Sequence, residues 1–114
     1  MATRIFLFRG TGIGTTMTTV STVDGADKLT PPAGLKWTLV EIRIALSAAG
    51  EWAIYYDTEK YYNGRQELDF GQTFKPHTVA LDIVQPHFIQ LKAKADTGIT
   101  DVNAELVIEE APVA

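Results

Sequence analysis

The sequence predicts an all-β chain: an antiparallel β-sandwich, jelly-roll-like, of about eight strands and essentially no helix. Three observations predict it. Apolar side chains recur at every second residue through most of the chain, the period of a strand with one face on a core. No long window shows the 3.6-residue period of an amphipathic helix. Turn residues interrupt the alternation at roughly ten-residue spacing, the rhythm of sandwiches and barrels. An immunoglobulin-like Greek key shares that rhythm and is the alternative topology, because spacing carries no strand order.

The first strand is expected over residues 3–9. It contains Ile5-Phe6-Leu7-Phe8 between Arg4 and Arg9, apolar on both faces. In so small a protein the second face calls for a cover, and a partner subunit supplies one. Gly10-Thr11-Gly12-Ile13-Gly14 reads as a flexible connection into a Thr-rich strand over 15–23. Asp24-Gly25 suits a tight turn, and Pro31-Pro32-Ala33-Gly34 a loop. In the strand over 36–46, Thr38, Val40, Ile42, Ile44 and Leu46 share one face, and Trp37, Leu39, Glu41, Arg43 and Ala45 the other. Ser47-Ala48-Ala49-Gly50 reads as a short hairpin into a strand over 51–57. Asn63-Gly64 is a turn signal that leaves Tyr61-Tyr62 as a short edge piece before a strand over 66–70. The last three strands are expected over 78–84, 87–95 and 101–109, punctuated by Gln85-Pro86 and Asp96-Thr97-Gly98. The segments from Lys75 and from Gln85 both run Pro-His-x-apolar-x-Leu, which reads as two neighbouring strands, each entered through a proline.

Composition bounds the function. A chain of 114 residues is a single domain, residues 1–114, with room for one modest core. With no Cys, disulfides, thiolate metal sites and a cysteine nucleophile are excluded. Hydrophobic residues are 46% and charged ones 21%, too apolar for disorder. Ten basic against 14 acidic side chains leave a net charge of −4 and no basic block, which argues against nucleic acid as a partner. The apolar run Ile5–Phe8 is far too short for a signal-peptide core or a membrane span, so synthesis in a cytoplasm and a soluble life without membrane are expected.

Candidate chemistry is sparse. Gly10, Gly12 and Gly14 are not followed by a helix or by Lys-Ser/Thr, so they do not make a nucleotide loop. His77 and His87, with Asp82 or Asp69, amount to half a zinc site, and the expectation is no metal and no cofactor. Glu41 with Arg43, and Glu67 with Asp69, read as solvated faces or ion pairs rather than an acid–base couple. Neither Ser21 nor Ser47 sits in a nucleophile elbow. The expectation is no catalytic residue and no enzyme.

Aromatic residues are the exception. Trp52, Tyr55, Tyr56, Tyr61 and Tyr62 fall within eleven residues, with Trp37 on the preceding strand and rings on both faces of 51–57. They serve as core on one side and, on the other, as a protein interface or a platform for sugar rings. With the N-terminal strand, the candidate interface set is Ile5, Phe6, Leu7, Phe8, Trp37, Trp52, Tyr55, Tyr56, Tyr61 and Tyr62.

The segment from Thr30 to Gly50, a Pro-rich lead-in followed by Trp37-Thr38-Leu39-Val40-Glu41-Ile42-Arg43 and Leu46-Ser47, resembles small β-sandwich proteins encoded among the structural genes of tailed phages. The resemblance implies a non-enzymatic virion protein: a capsid decoration, minor capsid or tail-associated component. It implies self-association, with a homotrimer favoured by analogy, and binding to a major capsid or other virion protein. The location it implies is the virion, after synthesis in the host cytoplasm. A carbohydrate-binding module or tail-associated receptor-binding domain using Trp52, Tyr55, Tyr61 and Tyr62 is the alternative. A cupin-like metalloenzyme is a third, poor in histidine for that task.

Overall fold

The chain is described by a computed structural model covering residues 2–66 and 75–113. Among these residues every regular element is a strand: β1 (Ala2–Ile13), β2 (Thr18–Val20), β3 (Leu35–Leu46), β4 (Gly50–Tyr56), β5 (Glu59–Gln66), β6 (Lys75–Val84), β7 (Ile89–Ala95) and β8 (Thr100–Pro112). Two four-stranded sheets form, ordered β1-β8-β3-β6 and β2-β7-β4-β5. All neighbours are antiparallel. The pairing is nested, β1 with β8, β2 with β7, β3 with β6 and β4 with β5, as though one long hairpin had been rolled across both layers. The all-β sandwich read from the period of two is the fold.

Between the layers lies one core. From the first sheet it receives Phe8, Trp37, Leu39, Ile42, Ile44, Leu46, Ile83, Val102, Leu106 and Ile108; from the second, Val20, Trp52, Ile54, Ile89 and Leu91. Inward residues align across strands in rows such as Phe6–Leu106–Ile42 and Val20–Leu91–Ile54. Each fully buried aliphatic side chain contributes about 1.5–3 kcal/mol relative to exposure. Strands with one apolar face have no other way to hide it.

Several local expectations change. The alternation of β3 does not run through: Leu39 pairs with Ile108 but Glu41 with Val107, so Val40 is an extra residue in a bulge. The bulge switches faces, so Trp37 and Leu39 point inward before it and Ile42, Ile44 and Leu46 after it. Trp37 and Leu39 therefore share the core with Ile42 instead of lying opposite it. β1 likewise continues past Gly10 to Ile13, with its register shift between those residues and Gly12 at φ +63°, so the glycines bend a strand rather than link two. The Thr-rich segment forms a strand only over Thr18–Val20, and beyond it Thr22 makes a single bridge to Phe8 on the β1 edge.

Ser47–Gly50 is not a hairpin, because β3 and β4 lie in different sheets. The connection is held instead by Thr100, whose buried hydroxyl accepts from Ala48 N–H at 3.0 Å and meets Ala48 C=O at 3.1 Å. Asn63-Gly64 is not a turn: both lie inside β5, opposite Ala53 and Trp52. A Cβ on Gly64 would stand 2.3 Å from Trp52 Cζ2, so this glycine makes room for an indole rather than for a reversal. The reversal is at Asp57-Thr58, with Asp57 at φ 55°. The two Pro-His strands are not sheet neighbours, since β6 and β7 belong to opposite layers. Most of the strand expected over 66–70, with Glu67 and Asp69, lies outside the described residues.

Candidate functional site

Outward-facing rows of the β1-β8-β3-β6 sheet fall into two chemistries. Ile5 stands beside Val107 and then Glu41; Leu7 stands beside Glu105 and then Arg43. At the centre, Arg43 is paired with Glu41 and with Glu105, the latter at 3.2 Å. Glu41 first and Glu105 after it hold the guanidinium above the ordinary arginine value. At the β1 margin the surface turns apolar: Ile5 is 53% and Leu7 47% exposed, with Val23 at 57% beside them. A shallow groove of about 240 Å³ runs between β1 and the following loop, lined by Ile5, Phe6, Leu7, Val23, Ala26 and Leu29.

β1 reaches this position by its own alternation. Phe6 and Phe8 turn inward, leaving Ile5 and Leu7 outward. Outward positions on an edge strand ordinarily carry polar residues, so two aliphatics there are a departure from a solvated rim. Among the described residues Ile5 and Leu7 keep about half of their surface exposed on this face.

The other candidates separate. Phe8, Trp37 and Trp52 are 3%, 4% and 2% exposed, so the structure corrects their reading as surface contacts: they are core. Trp37 Nε1–H donates to Glu110 at 2.8 Å, and Phe6 packs against the Trp37 ring with centroids 5.1 Å apart. Trp52 lies edge-on to His77 at 4.9 Å and tilted against Tyr62 at 5.7 Å, so neither face of its indole is offered to a sugar. Tyr62 and His77 are hydrogen-bonded at 3.1 Å. Tyr55 faces outward on the other sheet beneath Lys92, whose ammonium is 4.7 Å from the ring centre. Tyr61 is the extra residue of a β5 bulge, and its hydroxyl donates to Ala80 C=O across the side of the sandwich at 3.0 Å. The aromatic set is thus dispersed over the core, an outer face and a side, and makes no single platform.

His77 and His87 have separate partners. His87 Nδ1 is 2.8 Å from Asp57 Oδ2, and its ring stacks on Tyr56 at 5.2 Å. Asp57 also accepts from Phe88 N–H, and its own N–H donates to Phe88 C=O. The bond to His87, opposed by desolvation and aided by Phe88 N–H, holds the Asp57 carboxyl below its ordinary range. Burial, then the Asp57 charge, pushes Tyr56 up. The pair clamps the β4–β5 turn to the segment ahead of β7. Sequence reading missed Val23, Val107 and this clamp. Only Val23 carried a local signal, a β-branched apolar residue directly before a turn.

No known family model matches the sequence, and no curated protein matches it.

Proposed function

We propose that this chain is a non-enzymatic structural protein of a phage particle, a capsid decoration or minor capsid component that binds neighbouring subunits through β1. The observation that carries the reading is the pair of outward aliphatics, Ile5 and Leu7, on an edge strand of the longer sheet. An apolar strip on a sheet margin is an aggregation hazard unless a partner covers it, so a chain that keeps one is built for assembly. The nested strand pairing is the order in which a jelly roll is wound, and it supports a jelly-roll-like sandwich. The phage assignment rests on the resemblance over Thr30–Gly50. Its partners are copies of itself and a major capsid or other virion protein, and its place is the virion after synthesis in the host cytoplasm. Ile5, Leu7 and Val23 are the contact residues, while Phe8 is buried behind them and Trp37 packs against Phe6.

Light scattering across a dilution series tests this reading. The parent chain is expected to hold a fixed multiple of its monomer mass, and Leu7→Asp to lower it to one chain while circular dichroism stays unchanged. A parent chain that is monomeric at every concentration overturns the reading.

A further inference from the structure

We infer that Asn63 is a site of spontaneous deamidation that the fold holds closed, and that it reacts only when β5 leaves β4. The site lies in the sheet opposite β1 and owes nothing to the assembly reading.

The chemistry is intramolecular. Gly64 nitrogen attacks Asn63 Cγ and forms a five-membered succinimide; its proton, carried by water, leaves with the carboxamide NH2 as ammonia. Water then opens the ring at one carbonyl or the other. One opening gives an aspartate in the ordinary chain, the other an isoaspartate whose main chain runs through Cβ. The sum is amide plus water to carboxylic acid plus ammonia, with no oxidant, metal or second protein. A glycine on the C-terminal side favours ring closure, because no Cβ crowds the attacking nitrogen. Packing fixes that glycine here: a Cβ at position 64 would stand 2.3 Å from Trp52 Cζ2. The contact that requires Gly64 therefore gives Asn63 its most reactive neighbour.

The backbone closes the site in two ways. First, Gly64 N–H lies in the ladder. Ala95 N–H donates to Gly14 C=O at 2.7 Å, away from β4. Ala95 and Ala93 stand opposite Gly50 and Trp52, so these two turn their main-chain groups toward β5, and Trp52 exchanges both bonds with Gly64. The attacking nitrogen is thus committed to Trp52 C=O. Second, the ring closes only when Gly64 nitrogen comes round to the Cβ side of Asn63, a ψ far from that of a strand. The side chain itself adds no protection. Asn63 is exposed, and among the described residues no hydrogen bond holds its carboxamide.

β5 is an edge strand with β4 as its one sheet neighbour, so the gate is a local opening. Tyr62, packed on Trp52 and bonded to His77 at 3.1 Å, resists it on one side of Gly64. Arg65, which donates to Asp96 at 3.0 Å and to Glu51 at 3.3 Å, resists it on the other. An isoaspartate carries an extra main-chain atom, which puts the Asn63–Ala53 and Gly64–Trp52 pairs out of step. β5 cannot then regain both, and the reaction marks a chain that has opened.

Peptide mapping by mass spectrometry tests this, following conversion of Asn63 at neutral pH in the folded chain and in a synthetic peptide of Tyr61–Gln66. The folded chain should react at least about tenfold more slowly, the factor that an opening cost of about 1.4 kcal/mol sets. Hydrogen exchange at Gly64 N–H should be slowed by a matching factor, because one opening frees that group for both reactions. Trp52→Ala, which removes the indole beneath Gly64, should speed both together. Equal rates in chain and peptide overturn the inference. So does slow deamidation beside an unprotected Gly64 N–H, or a folded Trp52→Ala chain in which both rates are unchanged. If that variant does not fold, the match between the two factors in the parent chain decides.

Discussion

Replacing Gly64 by alanine tests the packing of the β4–β5 pair at its tightest point. The added methyl would lie 2.3 Å from Trp52 Cζ2 and 2.6 Å from Cε2. Carbon–carbon contact is comfortable at about 3.5–4.0 Å, so the ring or the strand must yield by roughly 1.2 Å. Trp52 is 2% exposed, with His77 and Tyr62 packed against it, and so has little space to retreat. Overpacking of this kind costs about 1–3 kcal/mol. The lower chain entropy of alanine in the unfolded state returns roughly 0.4–1 kcal/mol. The net expectation is a loss of about 1–2 kcal/mol, read as a fall in Tm of roughly 4–10 °C for a domain near this size. Thermal unfolding by circular dichroism measures it, with Gly64→Ala in a Trp52→Phe background as the control. The smaller ring removes the atoms that clash, so in that background the alanine should be close to neutral, giving a coupling of about 1 kcal/mol or more. Equal loss in both backgrounds, or a gain in the parent, would refute the placement of the indole over Gly64 and the register that puts them opposite.

Gly50→Ala should cost more, about 3 kcal/mol, because its methyl would meet Lys94 C=O at 2.2 Å and a backbone carbonyl in a paired strand cannot turn aside; chemical denaturation reads the loss. Glu110→Ala leaves the Trp37 indole N–H without its acceptor and should cost about 1–3 kcal/mol, with Glu110→Gln recovering part, both by urea titration. Acid stability should depend on Asp57. Its folded carboxyl titrates below its unfolded value, so its contribution is whole above about pH 4 and is lost as pH falls through the folded value. Asp57→Asn, which keeps a residue tolerant of the left-handed backbone at that position, should flatten the stability-versus-pH curve over that range; an unchanged acid slope would remove the His87 clamp from the account.

The fold class was legible because the side-chain period of a strand is a local property. β7 shows it cleanly: Ile89, Leu91, Ala93 and Ala95 are all buried and the residues between them are not. The same rule marked Ile5–Phe8 as apolar on both faces, and the exposed side of that strand is the assembly surface proposed above. The Asp24-Gly25 turn was legible too, since Gly25 at φ +92° needs a residue without a Cβ, and its N–H closes onto Thr22 C=O at 2.9 Å. Trp52 shows where such reading stops. Its ring could serve core or surface until Gly64, twelve residues away, was seen to face it from the neighbouring strand.

By itself the sequence determined that the described residues are built of strands and, apart from β5 and most of the 15–23 segment, roughly where they lie, and that the chain carries no basic block and no thiol. The tertiary structure alone decided which sheet each strand joins, that Val40 reverses the face of β3, that Ser47–Gly50 crosses layers, and that Asp57 meets His87. The division has a physical cause. Alternation and turn propensity act between residues two to four apart, whereas sheet membership and a one-residue bulge are settled by partners such as β8, some sixty residues further along the chain. A glycine or a tryptophan acquires its meaning from what stands across from it, and that neighbour is set by the fold.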